Sequence, residues 1–187
     1  MCFTCCAIPK EKPSIASQVE AYLKGIEFMA ADFNQVINSR EIYSGKFWLS
    51  KKGKTKVKVK YTSGLNQDVL IIGDKVVVVD NEKSKKYRYS ISQTPLYSIL
   101  SGSLDLSREN SEVIENSDVL LRLKINKSSM FGGMSITLVF SKYKESGNIK
   151  NLEAWIVDDG KTETLFSFDI DSLSVNDEKK VPQEVFN

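Results

Sequence analysis

The stretch KGKTKVKVKYT, residues 52–62, carries a lysine at every second position: Lys54, Lys56, Lys58 and Lys60 alternate with Thr55, Val57, Val59 and Tyr61. A period of two marks a β-strand, whose successive side chains point to opposite faces. Val57 and Val59 therefore face an apolar interior and the lysines face out. A ribbon built to grip nucleic acid would set aromatic rings among the cations as stacking platforms. Tyr61 is the one ring here, and it lies on the valine side. The stretch reads as the solvated outer face of a sheet, where lysines also discourage edge-to-edge aggregation.

The rest of the chain fits that reading. Its 187 residues are 41% hydrophobic and 27% charged, which suits one globular domain with a sizeable core. The net charge of +2 does not point to nucleic acid. The charge is unevenly spread: seven lysines and no acid lie between Ile42 and Gln67, while Asp158, Asp159, Asp169, Asp171, Asp177 and Glu178 make the far end acidic. Such polarity steers partners. There is no histidine, which excludes Ser-His-Asp and Cys-His centres and imidazole metal ligands. No phosphate-loop or dinucleotide motif occurs. Neither an enzyme nor a cofactor site is expected.

All three cysteines, Cys2, Cys5 and Cys6, sit in MCFTCCAIP. They are too few for a zinc site. The run reads either as a disordered terminus or as the end of a clipped secretory signal, with a lipobox ending at Cys6 a poorer match.

PSIASQVEAYLKGI predicts a helix capped by Ser14, with Ile15, Val19, Tyr22, Leu23 and Ile26 on its apolar stripe. From Phe28 the period becomes two. Strands are expected over 28–38 and 41–52, then the lysine strand, then a hairpin in DVLIIGDKVVVVDN turning at Gly73–Asp74, then KKYRYSI. TPLYSILSG predicts a short helix capped by Thr94, with Pro95 in its first turn and Gly102 as its stop. A short helix is expected at Glu112–Asn116. VLLRLKIN, MSITLVFSK, IKNLEAWIVDD and TETLFSFDI complete a meander. The tail from Ser174 reads as polar, closing on Val185 and Phe186.

The inward side chains follow from parity. They are Phe47 and Leu49; Val57, Val59 and Tyr61; Val119, Leu121, Leu123 and Ile125; Met134, Ile136, Leu138 and Phe140; Ala154 and Ile156; Phe166, Phe168 and Ile170. About ten strands at roughly 4.8 Å each span about 48 Å. One helix covers about 10–12 Å of that width. The sheet must curl on its own side chains, either as a self-filled barrel or as a half-closed barrel with an apolar hollow under a helical lid. Lys51 shares parity with Phe47 and Leu49. It is either wet beyond the strand end or a rim cation reaching lid carbonyls.

The order of these features resembles the periplasmic outer-membrane lipoprotein carrier protein family, LolA. Gly45, Phe47, Leu49, Lys51 and Gly53 match its G-x-F-x-L-x-[RK]-P-G strand motif. Gly73, Asp74 and Lys75 match its hairpin tip with altered order, and Thr94, Pro95 and Leu96 match its TPxxxL segment. Two positions depart: the family's latch arginine is Lys51 here, and its proline is Lys52. Lysine keeps the charge but lacks the forked donor geometry, which implies a weaker latch.

The resemblance implies one domain over 14–187, with 1–13 a residual signal or disordered. Its fold class is mainly β: an unclosed antiparallel barrel of about ten to eleven strands with a helical lid. It implies a monomeric periplasmic carrier that needs no cofactor. Such a carrier takes triacylated lipoproteins from an inner-membrane ATP-driven release complex and hands them to an outer-membrane receptor. The acyl chains are then expected against Phe47, Leu49, Val57, Val59, Ile136, Leu138, Phe140, Phe166 and Phe168. Leu96, Ile99, Leu100, Met130 and Phe131 are expected to contact the acyl chains as well, with Lys51 as the lid latch. Lys54, Lys56 and Lys58 are candidates for docking an acidic patch on a partner. Competing readings are an outer-membrane-anchored receptor of the same fold and a generic small-lipid-binding module.

Overall fold

The computed structural model describes residues 13–90, 99, 104, 106–107, 110–126 and 133–187. Helix α1 (Ile15–Gly25) comes first, and the Ser14 hydroxyl caps it by accepting from the Ser17 amide. Six strands follow in a meander: β1 (Phe28–Ile37), β2 (Glu41–Ser50), β3 (Lys56–Ser63), β4 (Gln67–Ile72), β5 (Lys75–Asp80) and β6 (Lys85–Ser90). A second meander holds β7 (Ser111–Asn116), β8 (Leu120–Asn126), β9 (Ser135–Lys142), β10 (Ile149–Asp158) and β11 (Glu163–Phe168), and the two-residue β12 (Ser174–Val175) closes the count.

The two meanders fuse into one antiparallel sheet through β1 and β11, in the order β6-β5-β4-β3-β2-β1-β11-β10-β9-β8-β7, with β12 on β1. Among the described residues β6 and β7 are its end strands, and the sheet is not closed. Residues 91–110 link β6 to β7 in the chain. Their described members Ile99, Leu104 and Leu106 are all buried in the core. The expected unclosed β architecture is what the chain adopts.

Register explains the core. Met29, Leu49, Val57, Ile71, Val76 and Tyr89 stand opposite one another in a single row across β1 to β6. On the other half, Phe166, Trp155, Leu138, Leu123 and Val113 do the same across β11 to β7. These rows line the concave side. The opposite face of β3 carries Lys56, Lys58 and Lys60, as its period of two requires. Gly73 takes φ +60° at the β4–β5 tip, a conformation that costs a glycine little.

Several expectations are corrected. The stretch Glu112–Asn116 is not a short helix but lies in β7, because Val113 gains a place opposite Leu123 in the apolar row. The inward residues of β10 are Leu152, Trp155 and Val157, not Ala154 and Ile156. A β-bulge between Leu152 and Ala154 inverts the parity, and a sequence does not announce such an extra residue. Val119 and Ile170 fall in turns and are exposed.

The tail is not a loose polar end. Val181 and Phe186 are buried against Phe28 and Ala30 on the outer face, beside Trp48 and Leu70. That face is therefore partly covered rather than wholly wet. The helix expected over Thr94–Gly102 lies outside the described residues except for Ile99, which is helical and buried. The cysteines also lie outside them.

Candidate functional site

Phe47, Leu49, Val57, Val59, Ile136, Leu138, Phe140, Phe166 and Phe168, together with Ile99, belong to one continuous cluster on the concave face. Leu96, Leu100, Met130 and Phe131 lie outside the described residues. The cluster has two characters. Around β1, β2, β10 and β11 it is an aromatic block. Trp155 stacks on Phe166 with centroids 4.6 Å apart, and Phe33 stacks on the same ring at 4.3 Å. Phe47 and Phe168 meet edge-to-face at 5.3 Å. Trp155 and Phe33 are core members that parity reading missed. Along β3 to β5 and β8 to β9 the cluster is mostly aliphatic: Val57, Val59, Ile71 and Val76 on one side, Leu121, Leu123, Ile125 and Ile136 on the other.

This face is covered by elements that do not belong to the sheet. α1 contributes Val19 and Leu23, and the described residues Ile99, Leu104 and Leu106 join the same cluster. Tyr22 packs edge-to-face on Phe140 at 5.7 Å, and its hydroxyl accepts from the Leu152 amide at 2.8 Å. That amide sits at the β10 bulge, where the register with β9 shifts. Burial pushes the Tyr22 phenol above its ordinary pKa.

The C-terminal end of α1 is held by polar groups from elsewhere in the chain. The last carbonyls of any helix lack intrahelical partners. Lys51, just beyond β2, sends its ammonium to the Leu23 carbonyl at 2.8 Å. A cation at this end of a helix also meets the negative pole of the helix dipole. Burial pushes the Lys51 pKa below the usual lysine value. Asn176, at φ +60°, donates from Nδ2 to the Gly25 carbonyl at 2.8 Å. Its Oδ1 accepts from the Glu27 amide at 2.7 Å and the Phe28 amide at 3.2 Å. Nothing in the sequence singles out this asparagine, because its partners lie about 150 residues away.

The lysine row is less free than its spacing implies. Lys58 pairs with Asp68 at 3.1 Å, and Lys56 donates to Gln183 while its ammonium lies 5.6 Å over the Phe186 ring. Lys54 is exposed.

A sequence model for the outer membrane lipoprotein carrier protein LolA matches residues 24–187. The chain belongs to the LolA family. The match spans the whole sheet and begins at Lys24, in the last turn of α1. Among curated proteins none matches.

Solved structures share the fold at low identity. A chain of the Pseudomonas aeruginosa MucA/MucB complex aligns at 11% identity and TM-score 0.51, over 91% of this chain and 58% of its own. A crystal structure of MucB aligns at 10% identity and TM-score 0.52, over 89% and 60%. This chain thus spans about three fifths of those proteins. LprF from Mycobacterium bovis aligns at 13% identity and TM-score 0.47, over 90% and 94%. LolA is a family of carriers, and no helix among the described residues is long and apolar enough to cross a membrane.

Proposed function

We propose that this chain is a periplasmic carrier that shields lipoprotein acyl chains on the concave face of its sheet. It receives triacylated lipoproteins from an inner-membrane ATP-driven release complex and delivers them to an outer-membrane receptor. The observation that supports this reading is an apolar concave face covered by α1 and by Ile99, Leu104 and Leu106, which lie outside the sheet, instead of by closure of the barrel.

The magnitudes favour exchange. Burying an aliphatic side chain stabilises by about 1.5–3 kcal/mol, and each methylene by about 0.8 kcal/mol. Lifting Val19, Leu23, Ile99, Leu104 and Leu106 off the sheet then costs on the order of 10 kcal/mol. About a dozen methylenes offset that, and a single long acyl chain supplies them. Loading and unloading stay nearly balanced because cargo replaces cover of the same chemistry. Lys51 serves as the latch of that cover, since one hydrogen bond to Leu23 is easily broken and re-formed.

Incubating the purified protein with spheroplasts that hold lipoproteins at the inner membrane tests the carrier role. Release of lipoprotein into the soluble fraction as a complex is expected. A photo-crosslinker at Ile99 should capture the acyl-bearing N-terminus of the cargo. No release, with no capture at Ile99, would remove this reading.

A further inference from the structure

The outer face of β3, β4 and β5, remote from the concave side, carries a groove of about 400 Å³. Its apolar lining is Leu70, Ile72 and Val77, and its charged lining is Lys54, Lys75 and Asp74 at the hairpin tip. Register places Leu70 opposite Val77 and Ile72 opposite Lys75, so an apolar pair sits beside a mixed apolar and cationic pair. Ile72 is 37% exposed although it is a large aliphatic residue in a strand.

The surroundings are cationic. Residues 41–90, which span β2 to β6, hold twelve Lys and Arg against five Asp and Glu, whereas the remainder of the chain holds fourteen against nineteen. The sheet is thus +7 on one half, and everything else is −5. Nearby acids neutralise part of this: Asp68 pairs with Lys58, Asp80 with Lys83 and Asp32 with Lys46. Lys54, Lys60, Lys75, Lys86 and Arg88 form no ion pair among the described residues.

We propose that this groove docks the protein on an anionic phospholipid surface. Lys54 and Lys75 meet the phosphates, and Ile72 enters the acyl boundary between them. Two features favour a bilayer over an acidic protein. The apolar lining is only three side chains wide, whereas a stable protein interface buries about 800 Å² per partner. A bilayer needs no matching shape, only cations at headgroup level with an apolar tip beneath. Such docking would hold the concave face near a membrane while leaving it free, because the groove lies on the other side of the sheet.

The test uses the whole chain without cargo, so its failure leaves the carrier reading untouched. Co-sedimentation is measured with phosphatidylcholine vesicles containing phosphatidylglycerol and with pure phosphatidylcholine vesicles. Binding to the anionic vesicles should be at least about tenfold tighter and should weaken with salt. The double variant Lys54→Glu/Lys75→Glu should lose about tenfold or more. Ile72→Ser, which leaves the charge unchanged, should lose about threefold or more. Lys144→Glu/Lys161→Glu, on the acidic half, should bind as the parent does. Equal binding to both vesicles, or parental binding by both groove variants, overturns the proposal. So does displacement by soluble polyglutamate as effective as displacement by anionic vesicles, which would assign the groove to acidic polypeptides.

Discussion

The Lys51 ammonium donates to the Leu23 carbonyl at 2.8 Å, joining the end of β2 to the last turn of α1. Together with Asn176 on Gly25, it satisfies carbonyls that the helix cannot satisfy itself. Replacing Lys51 by Met leaves the Leu23 carbonyl unpaired. A stability loss of about 1–3 kcal/mol is expected. Hydrogen exchange should rise in the last turn of α1 before it rises in the sheet. Lys51→Arg keeps a charged donor within reach and should keep that turn protected.

Asn176 joins three segments: α1 through Gly25, the link through Glu27 and β1 through Phe28. Its positive φ complicates an alanine substitution, so glycine is the cleaner probe. Asn176→Gly keeps the backbone conformation and removes three hydrogen bonds at about 1 kcal/mol each. The denaturation midpoint should fall accordingly. Asn176→Ala should fall further, by the strain of the left-handed conformation.

Gly45 stands opposite Phe33 in the β1–β2 register, at a bulge against β3. A Cβ there would collide with the Lys60 carbonyl oxygen and lie 2.8 Å from Cε1 of Phe33. The backbone oxygen cannot swing away as a side chain would. Gly45→Ala should therefore destabilise by about 1–3 kcal/mol, and more if the bulge cannot relax. Thermal unfolding checks this. A variant as stable as the parent would show that β3 slides freely past β2.

Tyr61 packs edge-to-face on Phe33 and donates its hydroxyl to Gln35. Burial pushes its pKa up to about 12, with a smaller push from Tyr43. Above pH 10 the unfolded chain releases this proton and the folded chain holds it. The unfolded state then binds fewer protons, so stability falls as pH rises from 10 towards 12. The contribution is fully present below pH 10 and amounts to about 3 kcal/mol. Lys51 acts in the opposite sense, because its lowered pKa makes the unfolded state bind more protons just below pH 10.5. Denaturant titrations of Tyr61→Phe and Lys51→Met against the parent separate the two slopes.

The alternation in residues 52–62 was enough to place Val57 and Val59 inside and the lysines outside, because a strand has only two faces. Parity likewise read Phe47, Leu49, Leu138, Phe140, Phe166 and Phe168 as inward. Ser14 at the helix start and Gly73 at the hairpin tip were legible because caps and tight turns are local chemistry. Glu112–Asn116 was misread because its strand exists only through pairing with β8.

Tertiary structure alone decided the rest. The β10 bulge turned Trp155 inward and made it the centre of the aromatic block, and no local preference encodes such a shift of register. Asn176 became the clasp of α1, and Val181 and Phe186 became cover for the outer face, through contacts about 150 residues apart in the chain. Periodicity reports which way a side chain points relative to its neighbours in sequence. Which carbonyl Lys51 reaches, and which of the described strands end the sheet, depend on how the whole sheet curls.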